Sequence, residues 1–134
     1  MQMGMDLIVT SGALATLSIE AARAHPYECC GLLFGARRIE FAEPALNVHS
    51  DPARGFEIDP QMLIAAHRAT RQGGPRLRGY YHSHPRGPAE PSATDRAQAS
   101  GDGLIWAIIA SEGVTFWRDW EQGFEALPYR VSAE

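Results

Sequence analysis

Residues 80–95 read Tyr80-Tyr81-His82-Ser83-His84-Pro85-Arg86-Gly87-Pro88-Ala89-Glu90-Pro91-Ser92-Ala93-Thr94-Asp95. The pattern predicts a strand over 77–84, a proline-laden connection, and a short helix over 92–100. His82 and His84 stand two apart on that strand, so both imidazoles leave one face and can hold a single metal ion. Asp95, in the first turn of the helix, can fold its carboxylate back over the strand end and complete a His-His-Asp set. Three N and O ligands describe a catalytic zinc site that keeps its fourth position for water, so one Zn2+ per chain is expected, with hydrolysis as its chemistry. Ser92 precedes Asp95 by three residues on the same helical face, where its hydroxyl can both cap the helix and serve an oxyanion. Pro85, Pro88 and Pro91 stiffen the connection between the two elements.

Working outward, Leu7-Ile8-Val9 predicts an opening strand, and Thr10-Ser11-Gly12 supplies the cap of a helix over 13–24 with Leu14, Leu17 and Ala21 on its apolar face. His25-Pro26 should end that helix. The apolar run of residues 28–35, closed by Gly35, reads as a buried strand paired with a second strand over 38–42. Residues 44–55 read as a loop and 56–58 as a short strand. Asp59 and Pro60 then open a helix that runs to Gln72. Further strands are expected over 104–110, 114–117 and 124–127. Phe116, Trp117 and Trp120 read as core, and His49 and His67 as surface histidines. The whole is an α/β (mixed α+β) chain.

Its 134 residues fit one domain, 1–134, with a packed core, since 45% are apolar and 21% charged. Twelve basic residues against 16 acidic ones give a net charge of -4, with no stripe of arginine along the sequence, so nucleic acid is not an expected partner. All the basic residues are arginine, which excludes a lysine nucleophile or Schiff base. The longest apolar run, Leu104 to Ala110, is far short of the roughly 20 residues that cross a bilayer, so no membrane partner is expected. Residues 1–6 lack the features of an export leader. Cys29 and Cys30 are adjacent and would point to opposite faces of a strand, which suits small buried side chains in a reducing cytoplasm.

His82-Ser83-His84-Pro85, six residues, then Ser92-Ala93-Thr94-Asp95 resembles the signature of the JAMM (MPN-plus) zinc metallopeptidases, in which two His and an Asp bind the ion. Pro26-Tyr27-Glu28-Cys29-Cys30-Gly31-Leu32-Leu33-Phe34-Gly35 is similar to the segment in which that family carries its general-base glutamate, which singles out Glu28. Spacing alone leaves Glu57, Glu90 and Asp51 equally available. Gly79-Tyr80-Tyr81 and the order of elements also fit, so the likeness covers nearly the whole chain, as in a minimal prokaryotic-type member. The resemblance implies a central, mostly antiparallel curved sheet flanked by helices. It also implies a peptidase or isopeptidase that cleaves at the C-terminal Gly-Gly tail of a ubiquitin-like or sulfur-carrier protein, by metal-activated water with Glu28 as general base. Two other readings are a catalytically inactive scaffold of the same fold and a zinc hydrolase of a small molecule. A scaffold would be expected to have a damaged ligand set, whereas His82, His84, Asp95, Ser92 and Glu28 are all present. No Pro-Cys-x-x-Cys signature supports a nucleobase deaminase.

Overall fold

Thr10 closes the first strand and caps the first helix. In the computed structural model, which describes residues 7–133, β1 (Leu7–Thr10) runs directly into α1 (Ser11–Ala24). The Thr10 hydroxyl accepts the Ala13 N–H at 3.0 Å, satisfying a donor the first turn leaves free. The helix stops at Ala24, one residue short of the His25-Pro26 pair, as the proline dictates. The reading of residues 1–6 lies outside the described residues.

The chain continues through β2 (Cys30–Phe34), β3 (Phe41–Ala45), α2 (Pro60–Arg71), β4 (Leu77–Ser83), α3 (Ala93–Gln98), β5 (Ile105–Ala110), β6 (Gly113–Trp120), β7 (Gly123–Leu127) and β8 (Tyr129–Ser132). Six strands form one sheet in the order β3-β2-β4-β5-β6-β7. Only the β4–β5 pair is parallel, joined by the crossover that carries α3; the other pairs are antiparallel. This is the mixed, mostly antiparallel sheet that was expected. One face packs Leu33, Tyr81, Ile105, Ala107 and Phe116 against Ala13 and Leu17 of α1. The other packs Leu32, Phe34 and Trp106 with Phe56 and Ile58 against Ala66 of α2. Cys29 and Cys30 are buried and fall one in each cluster, as strand alternation requires. No helix among the described residues is long and apolar enough to cross a membrane.

Several boundaries move. The strand expected over 38–42 lies at Phe41–Ala45, because Ile39 is taken by β1: its N–H donates to Ile8 O and its carbonyl accepts from Thr10 N. Pro44 fits inside β3 because β3 is an edge strand, where a missing N–H leaves no ladder bond unmade. Residues 56–58 form no strand; only an isolated bridge joins Ile58 to Asn47. β6 runs on to Trp120, and β8 pairs parallel with β1 in a separate two-stranded sheet. Phe116 is core, as expected. Trp120 instead is exposed, with its indole N–H donating to Glu125.

β4 carries the motif and sits between β2 and β5, with Gly79 opposite both Leu33 and Ile105. A Cβ at Gly79 would run into the Ile105 carbonyl oxygen and its backbone. Gly79→Ala should therefore destabilise the fold by about 1–3 kcal/mol through forced backbone shifts. Denaturant unfolding measures this, and an unchanged midpoint would contradict the close approach.

Candidate metal centre

His82 is the penultimate residue of β4, paired with Cys30 on one side and Ile108 on the other, so its backbone is fixed from both flanks. His84 lies just past the strand end, where its N–H donates to Ile109 O at 2.8 Å and prolongs the ladder. The His82 ring is fully buried. Phe56 stacks on it at 4.2 Å between centroids, and Trp106 meets it edge-on at 5.6 Å.

Asp95 reaches this pair through a reciprocal cap at the start of α3. The Ser92 hydroxyl accepts the Asp95 N–H at 3.0 Å, and the Ser92 N–H donates to Asp95 Oδ2 at 3.0 Å. That arrangement aims the carboxylate at the strand end. Asp95 Oδ2 lies 3.1 Å from Nε2 of both His82 and His84, and the two Nε2 atoms are 3.1 Å apart. Ser92→Ala removes the cap and should lower stability by about 1 kcal/mol, read as a fall in melting temperature.

The chemistry of this triangle fits a cation. His84 Nδ1 is 2.9 Å from Pro88 O; a carbonyl only accepts, so Nδ1 carries the proton and Nε2 offers a lone pair. Burial pushes the His82 imidazole below its ordinary value, against the opposing pull of Asp95, so that ring is neutral. Burial works to raise the Asp95 carboxyl, but contacts with both imidazoles and the Ser92 N–H outweigh it and hold it well below the usual carboxylate range. A carboxylate thus faces the His84 Nε2 lone pair and a neutral His82 ring whose Nδ1 has no hydrogen-bond partner, a donor set that a cation placed among the three would satisfy. Two donors about 2.0 Å from one tetrahedral ion stand roughly 3.3 Å apart, close to the 3.1 Å seen here. His82, His84 and Asp95 can thus hold a metal ion. Burial opposes a proton on His84, but Asp95 and Pro88 O prevail and raise its value, so protons compete with a cation for this atom as pH falls.

Beside the triangle lies a cleft of about 710 Å³ whose walls include His84, Ser92 and Glu28. Ser92 spends one lone pair on its cap and keeps its hydroxyl proton for a ligand. Of the four carboxylates that spacing leaves open, only Glu28 and Glu90 line this cleft, and Glu90 is exposed. Glu28 is half-buried. Burial pushes its carboxyl up to about 7, against a downward pull from His84 and with a further push from Asp95. His67 is exposed on α2, and His49 lies in the 46–59 loop; neither belongs to the triangle. The sequence reading missed Phe56 against His82, the Pro88 carbonyl that sets the His84 tautomer, and Asn47, whose amide binds the Glu28 carbonyl. Each depends on a contact between separate elements or on a backbone atom, for which no local residue pattern exists.

The family profile of prokaryotic homologs of the JAB domain matches residues 10–121. The chain belongs to this family. Among curated relatives of this prokaryotic JAB protein, the desampylase of Haloferax volcanii is 37% identical over 103 residues, covering 75% of this chain and 74% of the relative. The probable TtuB-protein conjugate cleaving protease of Thermus thermophilus is 38% identical over 111 residues, covering 83% and 74%. The crystal structure of a JAB1/MPN domain protein from Archaeoglobus fulgidus superposes with a TM-score of 0.65 at 19% identity, covering 96% of this chain and 99% of that one, and shows the shared fold. The prokaryotic JAB protein is a hydrolase of the JAMM group.

Proposed function

We propose that residues 1–134 act as one catalytic domain that hydrolyses the bond joining the C-terminal Gly-Gly tail of a ubiquitin-like or sulfur-carrier protein to its conjugate. The observation that carries this reading is the convergence of His82, His84 and Asp95 at the wall of a cleft that Glu28 and Ser92 also line. His82, His84 and Asp95 would hold the ion, one Zn2+ per chain. A zinc ion bound there supplies a Lewis acid for the scissile carbonyl and lowers the pKa of water toward about 7. Glu28 takes the proton of the attacking water and passes it to the leaving amine, work suited to a carboxyl whose burial brings it near neutrality. Ser92 donates its hydroxyl to the developing oxyanion. Pro88 O keeps the His84 ring in the tautomer that presents Nε2.

The conjugate-cleaving activity in the Thermus relative's name supports the substrate class. The cleft has room for such a tail: Pro26, Pro85, Pro88 and Pro91 are among its walls, rigid residues along which a segment without side chains can lie close. The test uses zinc-loaded protein, with metal counted by elemental analysis. Ubiquitin-like and sulfur-carrier proteins extended through Gly-Gly are offered as substrates, and products are weighed by mass spectrometry. Cleavage after the second glycine that stops with a chelator is expected. Metal bound without cleavage of any such protein overturns the substrate assignment.

A further inference from the structure

The segment between β3 and α2 is irregular, yet one side chain organises it. Asn47 uses its whole hydrogen-bonding capacity. Its Oδ1 accepts from His49 N and Glu57 N, both at 3.1 Å, and its Nδ2 donates to Glu28 O at 3.0 Å and Gly55 O at 3.1 Å. The amide orientation follows from the partners, since a flip would set the NH2 against two N–H donors and the oxygen against two carbonyls. Glu28 is gripped from its other backbone atom as well, its N–H donating to Pro52 O at 2.8 Å. Glu28 precedes β2 and has no ladder partner of its own; these two bonds tie it to the 46–59 loop, while the Cys29 N–H of the same peptide unit donates to Ser83 Oγ at 2.8 Å and ties its other side to β4. The same amide grips Gly55 and Glu57, the neighbours of Phe56, whose ring covers His82.

We infer that Asn47 is a positioning residue: its two donor bonds set Glu28 at a fixed distance from the His82–His84–Asp95 centre. This deepens the reading of Glu28 as general base and rests on it. A base displaced by about 1 Å from its working geometry can lose about 100-fold in rate while substrate binding is retained.

The two halves of the amide can be separated. Asn47→Asp keeps an acceptor for His49 N and Glu57 N and abolishes both donor bonds, setting a carboxylate oxygen against the Glu28 carbonyl. Asn47→Ala removes everything, and His49→Ala removes the bond from Asp51 N–H to the imidazole while leaving both bonds of the Asn47 amide to Glu28 and Gly55 in place. Zinc content, melting temperature, kcat and KM are measured for each on a sulfur-carrier protein joined through Gly-Gly to a reporter. Asn47→Asp and Asn47→Ala should both bind zinc at the wild-type ratio, lose about 100-fold in kcat, and keep KM within about twofold. His49→Ala should retain kcat. A purely structural amide would lower the melting temperature and leave kcat per zinc-loaded molecule unchanged. Wild-type kcat in Asn47→Asp would therefore overturn the inference. A crystal structure of zinc-loaded Asn47→Ala gives a readout free of substrate: the Glu28 carboxylate should move by about 1 Å, and an unmoved carboxylate would equally overturn it. If the wild-type protein cleaves none of the substrates, the proposed function fails, and the position of Glu28 in that structure still decides the role of Asn47.

Discussion

Glu28→Gln is expected to leave zinc content and melting temperature close to wild type and to lower kcat by about 10²–10⁴-fold, the usual contribution of a positioned general base. That range corresponds to roughly 2.7–5.5 kcal/mol of barrier. Glutamine keeps the size and shape of the side chain, so the walls of the cleft stay in place. What it lacks is a site that accepts the proton of the attacking water. The pH profile separates this role from simple packing. A base works only when deprotonated, so wild-type kcat should fall as pH drops through the Glu28 pKa. Burial sets that point at about 7 in the ion-free protein, and a bound cation, favouring the carboxylate, moves it lower. Residual activity in the glutamine variant should lack the part of this limb that Glu28 sets and keep only the fall at lower pH where protons displace the cation from His84. A variant with wild-type kcat would remove Glu28 from the mechanism and leave Glu90, the other carboxylate on the cleft wall, to be tested.

The His-x-His pair and the serine-to-aspartate step were legible because their geometry is local. A strand sends alternate side chains to one face, and a capping box fixes Ser92 against Asp95 whatever lies around them. Glu28 was different. From spacing it was one carboxylate among four, and only the resemblance selected it; the fold that places it on the cleft wall is built from pairings of β2 with β3 and β4. Boundaries failed where partners distant in sequence compete for a residue. Ile39 looked like part of a hairpin with β2, but β1 claims both of its backbone groups. Tyr129–Ser132 carries little pattern of its own and becomes a strand only because Leu7–Thr10 is beside it. Phe56 showed as an apolar residue in a short extended run, and nothing in that run says its ring covers a histidine of β4.

His82→Ala should bind the metal about 100-fold more weakly and lose the activity that depends on a complete ligand set. Binding of about 10–16 kcal/mol shared among the donors of a structural zinc site amounts to roughly 3 kcal/mol per donor, so losing one costs on the order of 10²-fold in affinity. Thermal unfolding with and without zinc reads this directly. At a zinc concentration about 100 times Kd, the wild-type protein gains about 2.7 kcal/mol, whereas a variant weakened 100-fold gains only about 0.4 kcal/mol. Alanine also empties a fully buried space between Phe56 and Trp106, so loss of metal and loss of packing would be confounded. His82→Phe resolves them. Its ring can keep the stack on Phe56 while presenting no donor nitrogen, so the variant should fold, show almost no zinc-dependent rise in melting temperature, and cleave nothing. A folded His82→Phe protein that binds zinc as tightly as wild type would take His82 out of the ligand set. The ion would then have to be sought elsewhere along the cleft.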